Sequence, residues 1–396
     1  MSRVRNKLNA KIPSLNNMRI LTIIHEFPPI GGGGGRAAYD ICSELAARGH
    51  DVTVLTAHMN GLPRNEMQDG FRLVRIPSKR TEAFSASFQT MLAFDLAGLW
   101  AGLSLIWRSR PDIIHTHFAV PAGALAFALS VLTGVPYILT AHLGDVPGGV
   151  PEKTAHWFSW LQPFTKPIWK RAKQVVAVSE FTRQLALAHY PVDIRVIPNG
   201  ADFTHLTTEN IEVNRPPRIV FAGRFVSQKN PLAIIRVLST LKDLNWTCSM
   251  LGDGPMFEEV KAEIEKHGMT ERFHLTGWVT PANVLSEFSR SDILFMPSLS
   301  EGLPVVGVDA LMKGLAIVAS RIGGFLDLVD PDCNGYLIDL KDEAGFSSAL
   351  RELISNQGKL TQFRQISLEK SKNFDIGKIV GQYEEIMNKA KSDSHL

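Results

Sequence analysis

Short apolar runs of strand length alternate along the chain with stretches whose apolar residues recur every three to four positions. In the first half the runs fall at residues 19–24, 51–56, 113–117, 137–141, 174–178 and 195–197, with amphipathic helical pattern between them, as at 36–48. A second set occupies 218–222, 245–251, 273–276, 293–296, 316–319 and 335–338. Runs this short, rich in Val and Ile, predict strands buried on both faces, and their alternation with helices predicts parallel sheets. The fold class is therefore α/β, with two Rossmann-like doubly wound parallel-sheet domains and a cleft between them. Residues 199–215 are polar and lead into Pro216-Pro217, which reads as a linker. The predicted organisation is a basic disordered extension over 1–17, an N-terminal domain over 18–205 and a C-terminal domain over 206–375. A last helix within 376–396, with no strand after it, is free to pack on either half, the N-terminal one included.

A length of 396 residues with 45% hydrophobic content supports two substantial cores. The formal net charge of +3 is too mild to argue for nucleic acid, and no basic patch is interleaved with aromatics. Anionic small molecules or an anionic membrane surface fit better. Cys42, Cys248 and Cys333 lie far apart with no C-x-x-C, which supports neither a disulfide framework nor a zinc site and favours a reducing, cytoplasmic compartment. Residues 1–17 carry Arg3, Arg5, Lys7 and Lys11 but lack the apolar centre of a signal peptide, and Met18 is a candidate alternative start. No uninterrupted run reaches 18 apolar residues, so no spanning helix is expected.

The chemistry concentrates in a few places. Ser300-Glu301-Gly302-Leu303-Pro304 leads into a helix that Pro304 is expected to open and Gly314 to close, with a second carboxylate at Asp309. The N–H groups of a helix start seat an anion, and carboxylates beside them suit hydroxyls, so the segment reads as a nucleotide-sugar pocket. Gly31 to Gly35, between the first strand and a helix opened by Arg36, form a loop where backbone can approach a ligand; Gly33, Gly34 and Gly35 are its binding candidates. The dinucleotide fingerprint fails, because Arg36 stands where a third glycine is needed, and no P-loop is present. Arg224 and Lys229 follow the first strand of the second half, five residues apart, placed to clamp a diphosphate. His142 ends a buried strand and precedes Asp145; alone, such a histidine is more often structural. His115 and His117 alternate on one strand and are expected to face opposite ways, forming no metal pair.

Taken in order, these segments resemble the retaining glycosyltransferases of the two-Rossmann GT-B type, family 4. The resemblance runs from Met18 onward. It is carried by His25-Glu26-Phe27-Pro28-Pro29 with the glycine run, Asp112 to His117, Thr140-Ala141-His142, Val176 to Ser179 and Ile197 to Asp202. Phe221-Ala222-Gly223-Arg224-Phe225 with Lys229, Leu251-Gly252-Asp253-Gly254-Pro255, Thr276-Gly277-Trp278-Val279 and the Glu301 segment complete it. It implies transfer of a hexosyl group from a nucleoside-diphosphate sugar, with retention and without a metal, to a saccharide or lipid-linked acceptor in polysaccharide or glycolipid synthesis. It implies donor diphosphate on Arg224 and Lys229, with the N–H groups after Glu301, at Gly302 and Leu303, also binding the donor, the transferred sugar on Glu301, and the donor sugar near His142. Asp145 is a candidate for sugar or acceptor hydroxyls. The base would meet backbone around Trp278 and Val279. In the family a second glutamate holds the ribose; here Asp309, one methylene shorter, stands in its place.

Rivals of two kinds stay open: a phosphorylase or epimerase on the same scaffold, and a non-catalytic sugar-nucleotide-binding protein. Two aromatic stretches also have two readings. His156-Trp157-Phe158-Ser159-Trp160 through Phe164, Trp169, Lys170, Arg171 and Lys173, and the apolar stretch from Phe84 to Trp107, are either core-facing helices or peripheral contacts with the inner face of a membrane.

Overall fold

The computed structural model describes residues 17–83, 86–150, 163–203 and 211–393. The first eight strands are β1 (Arg19–Ile23), β2 (Asp51–Met59), β3 (Asn65–Gln68), β4 (Phe71–Arg80), β5 (Ile113–His117), β6 (Tyr137–Ala141), β7 (Gln174–Ala177) and β8 (Ile194–Val196). They form one sheet in the order β3-β4-β2-β1-β5-β6-β7-β8. The central β1 pairs in parallel with β2 and β5 and is buried in all but its first residue, as an apolar run covered on both faces requires.

The second sheet comprises β9 (Arg218–Ala222), β10 (Thr247–Leu251), β11 (Phe273–Leu275), β12 (Ile293–Met296), β13 (Ala316–Ser320) and β14 (Gly335–Ile338), in the order β11-β10-β9-β12-β13-β14. Every pairing in it is parallel. β9 and β12 stand side by side where the chain order reverses, the place at which loops leaving the C-terminal ends of the strands diverge and leave a crevice. The core beneath is dense with large apolar side chains, Phe221, Trp246, Phe288 and Phe295 among them.

β3 and β4 were not anticipated, and their pairing is antiparallel. Asp69 and Gly70 join them with positive φ at both positions, the conformation of a tight hairpin turn. β3 reads Asn-Glu-Met-Gln and buries no residue fully, so hydrophobic pattern could not reveal it.

The chain divides into two compact units. One contains Met1–Leu139, Arg171–Lys173 and Glu384–Leu396; the other contains Thr140–Lys170 and Gln174–Tyr383. The division passes through β6, whereas the polar stretch at 199–215 follows β8. In the first unit lie α1 (Gly33–Ala47), α2 (Phe88–Ser109) and α3 (Ala124–Thr133). The end of the last helix, Ile376–Ser392, is tied down there: Glu384 accepts from Arg48 at 2.6 Å and meets His50 at 2.8 Å, and Lys391 pairs with Asp112 at 3.3 Å.

Of the two aromatic stretches, residues 156–160 lie outside the described residues, as does Phe84. Trp169 is buried and stacks on Tyr190 with ring centroids 4.2 Å apart, so it belongs to the core. By length and composition alone α2 is apolar enough to span a membrane, although Asp95 and Ser104 interrupt its apolar run.

Candidate functional site

The loops beyond β9, β10, β12 and β13, all in the second unit, are locked to one another through backbone. Gly223 N–H donates to Leu251 O at 2.9 Å, and Phe225 N–H donates to Asp253 O at 2.9 Å. A Cβ at Gly252 would stand 2.0 Å from Gly223 O, and one at Gly254 2.6 Å from Phe225 O. The Leu251-Gly252-Asp253-Gly254 motif is thus glycine-rich because two backbones touch there. Gly252 N–H also donates to Gly277 O at 3.0 Å, which sets Trp278, more than half exposed, at the edge of the same loop cluster.

On this base the chain turns through Arg224 to the short 3-10 helix Ser227–Lys229. Gln228 then fixes the next loop: its carbonyl accepts from Leu299 N–H at 2.8 Å and its side-chain amide donates to Ser300 O at 3.0 Å. The result places the neighbouring Lys229 ammonium on the Glu301 carboxylate. Arg224, half-buried, lies five residues before Lys229. Lys229 and Glu301 therefore meet at the β9–β12 switch point, with Arg224 earlier in the same loop.

The Glu301 loop is held from behind by residues that sequence reasoning did not single out. Gly324 N–H donates to Glu301 O at 3.2 Å. A Cβ at Gly323, where φ is +46°, would stand 1.8 Å from Glu301 O, and one at Gly324 1.9 Å from Gly302 O. Asn199, buried, donates its side-chain amide to Leu303 O at 2.8 Å. The double glycine after β13 was the available signal, since only a missing side chain allows such an approach.

Pro304 sits one position before the helix Val305–Met312 instead of opening it. The first N–H groups of that helix have no acceptor within it and carry its positive end. Asp309 lies one turn along and is half-buried. Leu143 packs on the same loop: a Cβ at Gly302 would meet Leu143 Cβ at 3.2 Å. This sets the strand end of His142 beside the Glu301 segment, within the same unit. His142 is buried, and desolvation brings its pKa down to about 4, so the ring is neutral at physiological pH. Asp145 turns one carboxylate oxygen back to accept His142 N–H at 2.8 Å, which commits it to the shape of that turn.

In the first unit the last three glycines of the run are helical where a loop was expected. α1 begins at Gly33, so Gly33, Gly34 and Gly35 form its first turn. Gly31, at φ +94°, and Gly35 both press on Glu26, where a Cβ would stand 2.5 Å and 2.8 Å from the nearest atoms. His115 and His117 also correct an expectation. Their rings lie 4.3 Å apart, because residues two apart on a strand share a face. Among the described residues, no three His, Cys, Asp or Glu side chains converge into a metal-binding group.

Residues 31–205 match the model of Glycosyltransferase Family 4, and residues 205–370 match that of the glycosyl transferases group 1. The chain belongs to glycosyltransferase family 4. This glycosyltransferase is similar to a glycogen synthase of Mycobacterium tuberculosis, 26% identical over 368 residues that cover 86% of each chain. Among solved structures, sucrose-phosphate synthase from Thermosynechococcus elongatus matches with a TM-score of 0.81 at 18% identity, covering 94% of this chain and 99% of the other. Anabaena Alr3699/HepE, solved in complex with UDP and glucose, matches with a TM-score of 0.75 at 17% identity, covering 94% and 100%. At these identities the two structures speak to the GT-B fold.

Proposed function

We propose that this glycosyltransferase moves a hexosyl group from a nucleoside-diphosphate sugar to a hydroxyl of a saccharide or lipid-linked acceptor, with retention and without a metal ion. Cell-surface polysaccharide or glycolipid synthesis in the cytoplasm is the setting that fits. The observation that carries the reading is the meeting of Lys229 and Glu301 just ahead of a helix N-terminus.

Breaking the bond from the anomeric carbon to the diphosphate leaves positive charge on the sugar and negative charge on the leaving group. Lys229, Arg224 and the N–H groups at Val305 and Val306 offer fixed positive charge to that leaving group, the kind of preorganised stabilisation that dominates such reactions. Glu301, released from Lys229 as phosphate takes its place, is free to accept from a sugar hydroxyl. Asp309, one turn into the helix, accepts from the ribose hydroxyls in this reading. His142, neutral, serves as a hydrogen-bonding group and not as a cation. The acceptor proton passes to the departing phosphate oxygen on the same face, which accounts for retention with no covalent enzyme intermediate.

A thermal-shift screen against UDP-, GDP- and ADP-sugars tests the donor class, because a ligand that binds only the folded state stabilises it by mass action. One nucleotide sugar is expected to raise the melting temperature selectively, and Glu301→Ala is expected to abolish transfer from it. No shift with any nucleotide sugar would remove the donor reading, and full transfer by Glu301→Ala would remove the site.

A further inference from the structure

We infer that the outward face of α2, with the end of α3, is a docking surface for an anionic lipid bilayer. α2 is capped by Ser87 Oγ, which accepts Thr90 N–H at 3.2 Å, and runs 22 residues to Ser109. Its inner face is Thr90, Phe94, Gly98, Gly102, Leu105 and Ile106, all buried. The opposite face bears Phe88, Leu92, Leu96, Trp100 and Trp107, exposed by 48, 48, 61, 77 and 76%. A helix of an ordinary water-facing surface carries charges on that side. Between Phe88 and Trp107 the only charged residue is Asp95, and its Oδ1 is buried.

The surface widens onto α3. A Cβ at Gly98 would stand 2.4 Å from Leu125, and one at Gly102 2.6 Å from Leu129, so the two helices lie flush and step together. The same step of four brings Trp107 level with the end of α3, where Val131 and Leu132 are also exposed. Packed sideways in this way, α2 lies along the surface of the unit and does not cross a membrane.

Charge identifies the occupant. The apolar face ends in a basic fringe: Arg108 follows Trp107, Arg110 caps the helix in the left-handed conformation, and Arg19 donates to Ser109 O at 3.3 Å. On the α3 side Arg171 donates to Ser130 O at 3.2 Å, and Lys173 lies two residues on. Of the acids beside them, Asp112 is shared by Arg19 and Lys391, and Asp51 stands across from Arg19 on β2. Tryptophan beside exposed arginine and lysine matches the boundary between acyl chains and anionic headgroups. A second copy of the chain would bring this same surface, without a balancing acidic patch, against itself.

The test is co-sedimentation with vesicles of phosphatidylcholine alone and of phosphatidylcholine mixed with phosphatidylglycerol. The wild-type chain is expected to pellet with the mixed vesicles at least about tenfold more tightly, and high salt should reverse the preference. Trp100→Ser with Trp107→Ser should lose vesicle binding, while Arg108→Gln with Arg110→Gln should lose about fivefold per arginine toward the mixed vesicles alone. Quenching of wild-type tryptophan fluorescence by brominated lipid supplies a readout that needs no variant. Failure to pellet and absence of quenching would overturn the inference. So would a stable wild-type dimer in light scattering that Trp100→Ser with Trp107→Ser converts to monomer. None of these outcomes depends on the donor or the acceptor.

Discussion

Lys229 donates to Glu301 in an ion pair largely withdrawn from water, with side-chain exposures of 19% and 7%. The pairing satisfies a buried carboxylate that would otherwise be costly, and it occupies the cation that a diphosphate needs. In the proposed reaction, donor binding exchanges one anion for another at Lys229. The coupling should be measurable without substrate. Lys229→Ala strands Glu301 and is expected to cost about 1–3 kcal/mol in urea unfolding, and adding Glu301→Gln should return much of that loss. Equal, additive losses would show that the two side chains are not coupled.

Gly323 supports the same loop from behind. Gly323→Ala must move Glu301 O and place a side chain at positive φ, at an expected cost of about 2–4 kcal/mol. Urea unfolding measures the loss, and a nucleotide-sugar thermal shift should shrink with it. A variant as stable as wild type that binds donor normally would mean that the loop is not held this way.

Much of this was legible in the sequence. β9, β12 and β13 fall on the short apolar runs, because a strand buried on both faces needs no alternation to announce it. Glu301 and Lys229 stood out in loops that follow such runs, and His142 only through the family resemblance. What was not legible came from contacts between segments distant in sequence. Gly323, Gly324, Asn199 and Gln228 shape the loop through backbone, and composition carries little trace of that. β3 is polar, so its only sign was the Asp69-Gly70 turn. His115 and His117 were misplaced because period-two geometry puts alternate residues on one face.

Asp309 tests the ribose contact. Asp309→Ala is expected to weaken UDP binding by about tenfold, as loss of a charged hydrogen-bond acceptor does, whereas Asp309→Glu should stay within a few-fold. In wild type, 2′-deoxy-UDP should bind more weakly than UDP, and that difference should vanish in Asp309→Ala. A difference that persisted would place the ribose elsewhere.

His142 gives the protein an acid-sensitive element. Its folded pKa of about 4 lies below the ordinary 6.5, so the unfolded chain takes up a proton in that interval before the folded one does. The stability that it contributes is complete above pH 6.5 and declines as pH falls toward 4. The expected loss is about 1–3 kcal/mol across that window, read by urea unfolding at a series of pH values. His142→Asn should flatten that part of the profile. An unchanged slope would locate the acid sensitivity in other groups.

The central claim is that donor phosphate and Glu301 compete for Lys229, and calorimetric titration with UDP tests it most directly. Lys229→Ala should weaken UDP by at least about tenfold, while Glu301→Gln, which frees the cation, should bind UDP as tightly as wild type or several-fold tighter yet fail to transfer sugar. Wild-type UDP affinity in Lys229→Ala, or an equal loss in both variants, would contradict the account.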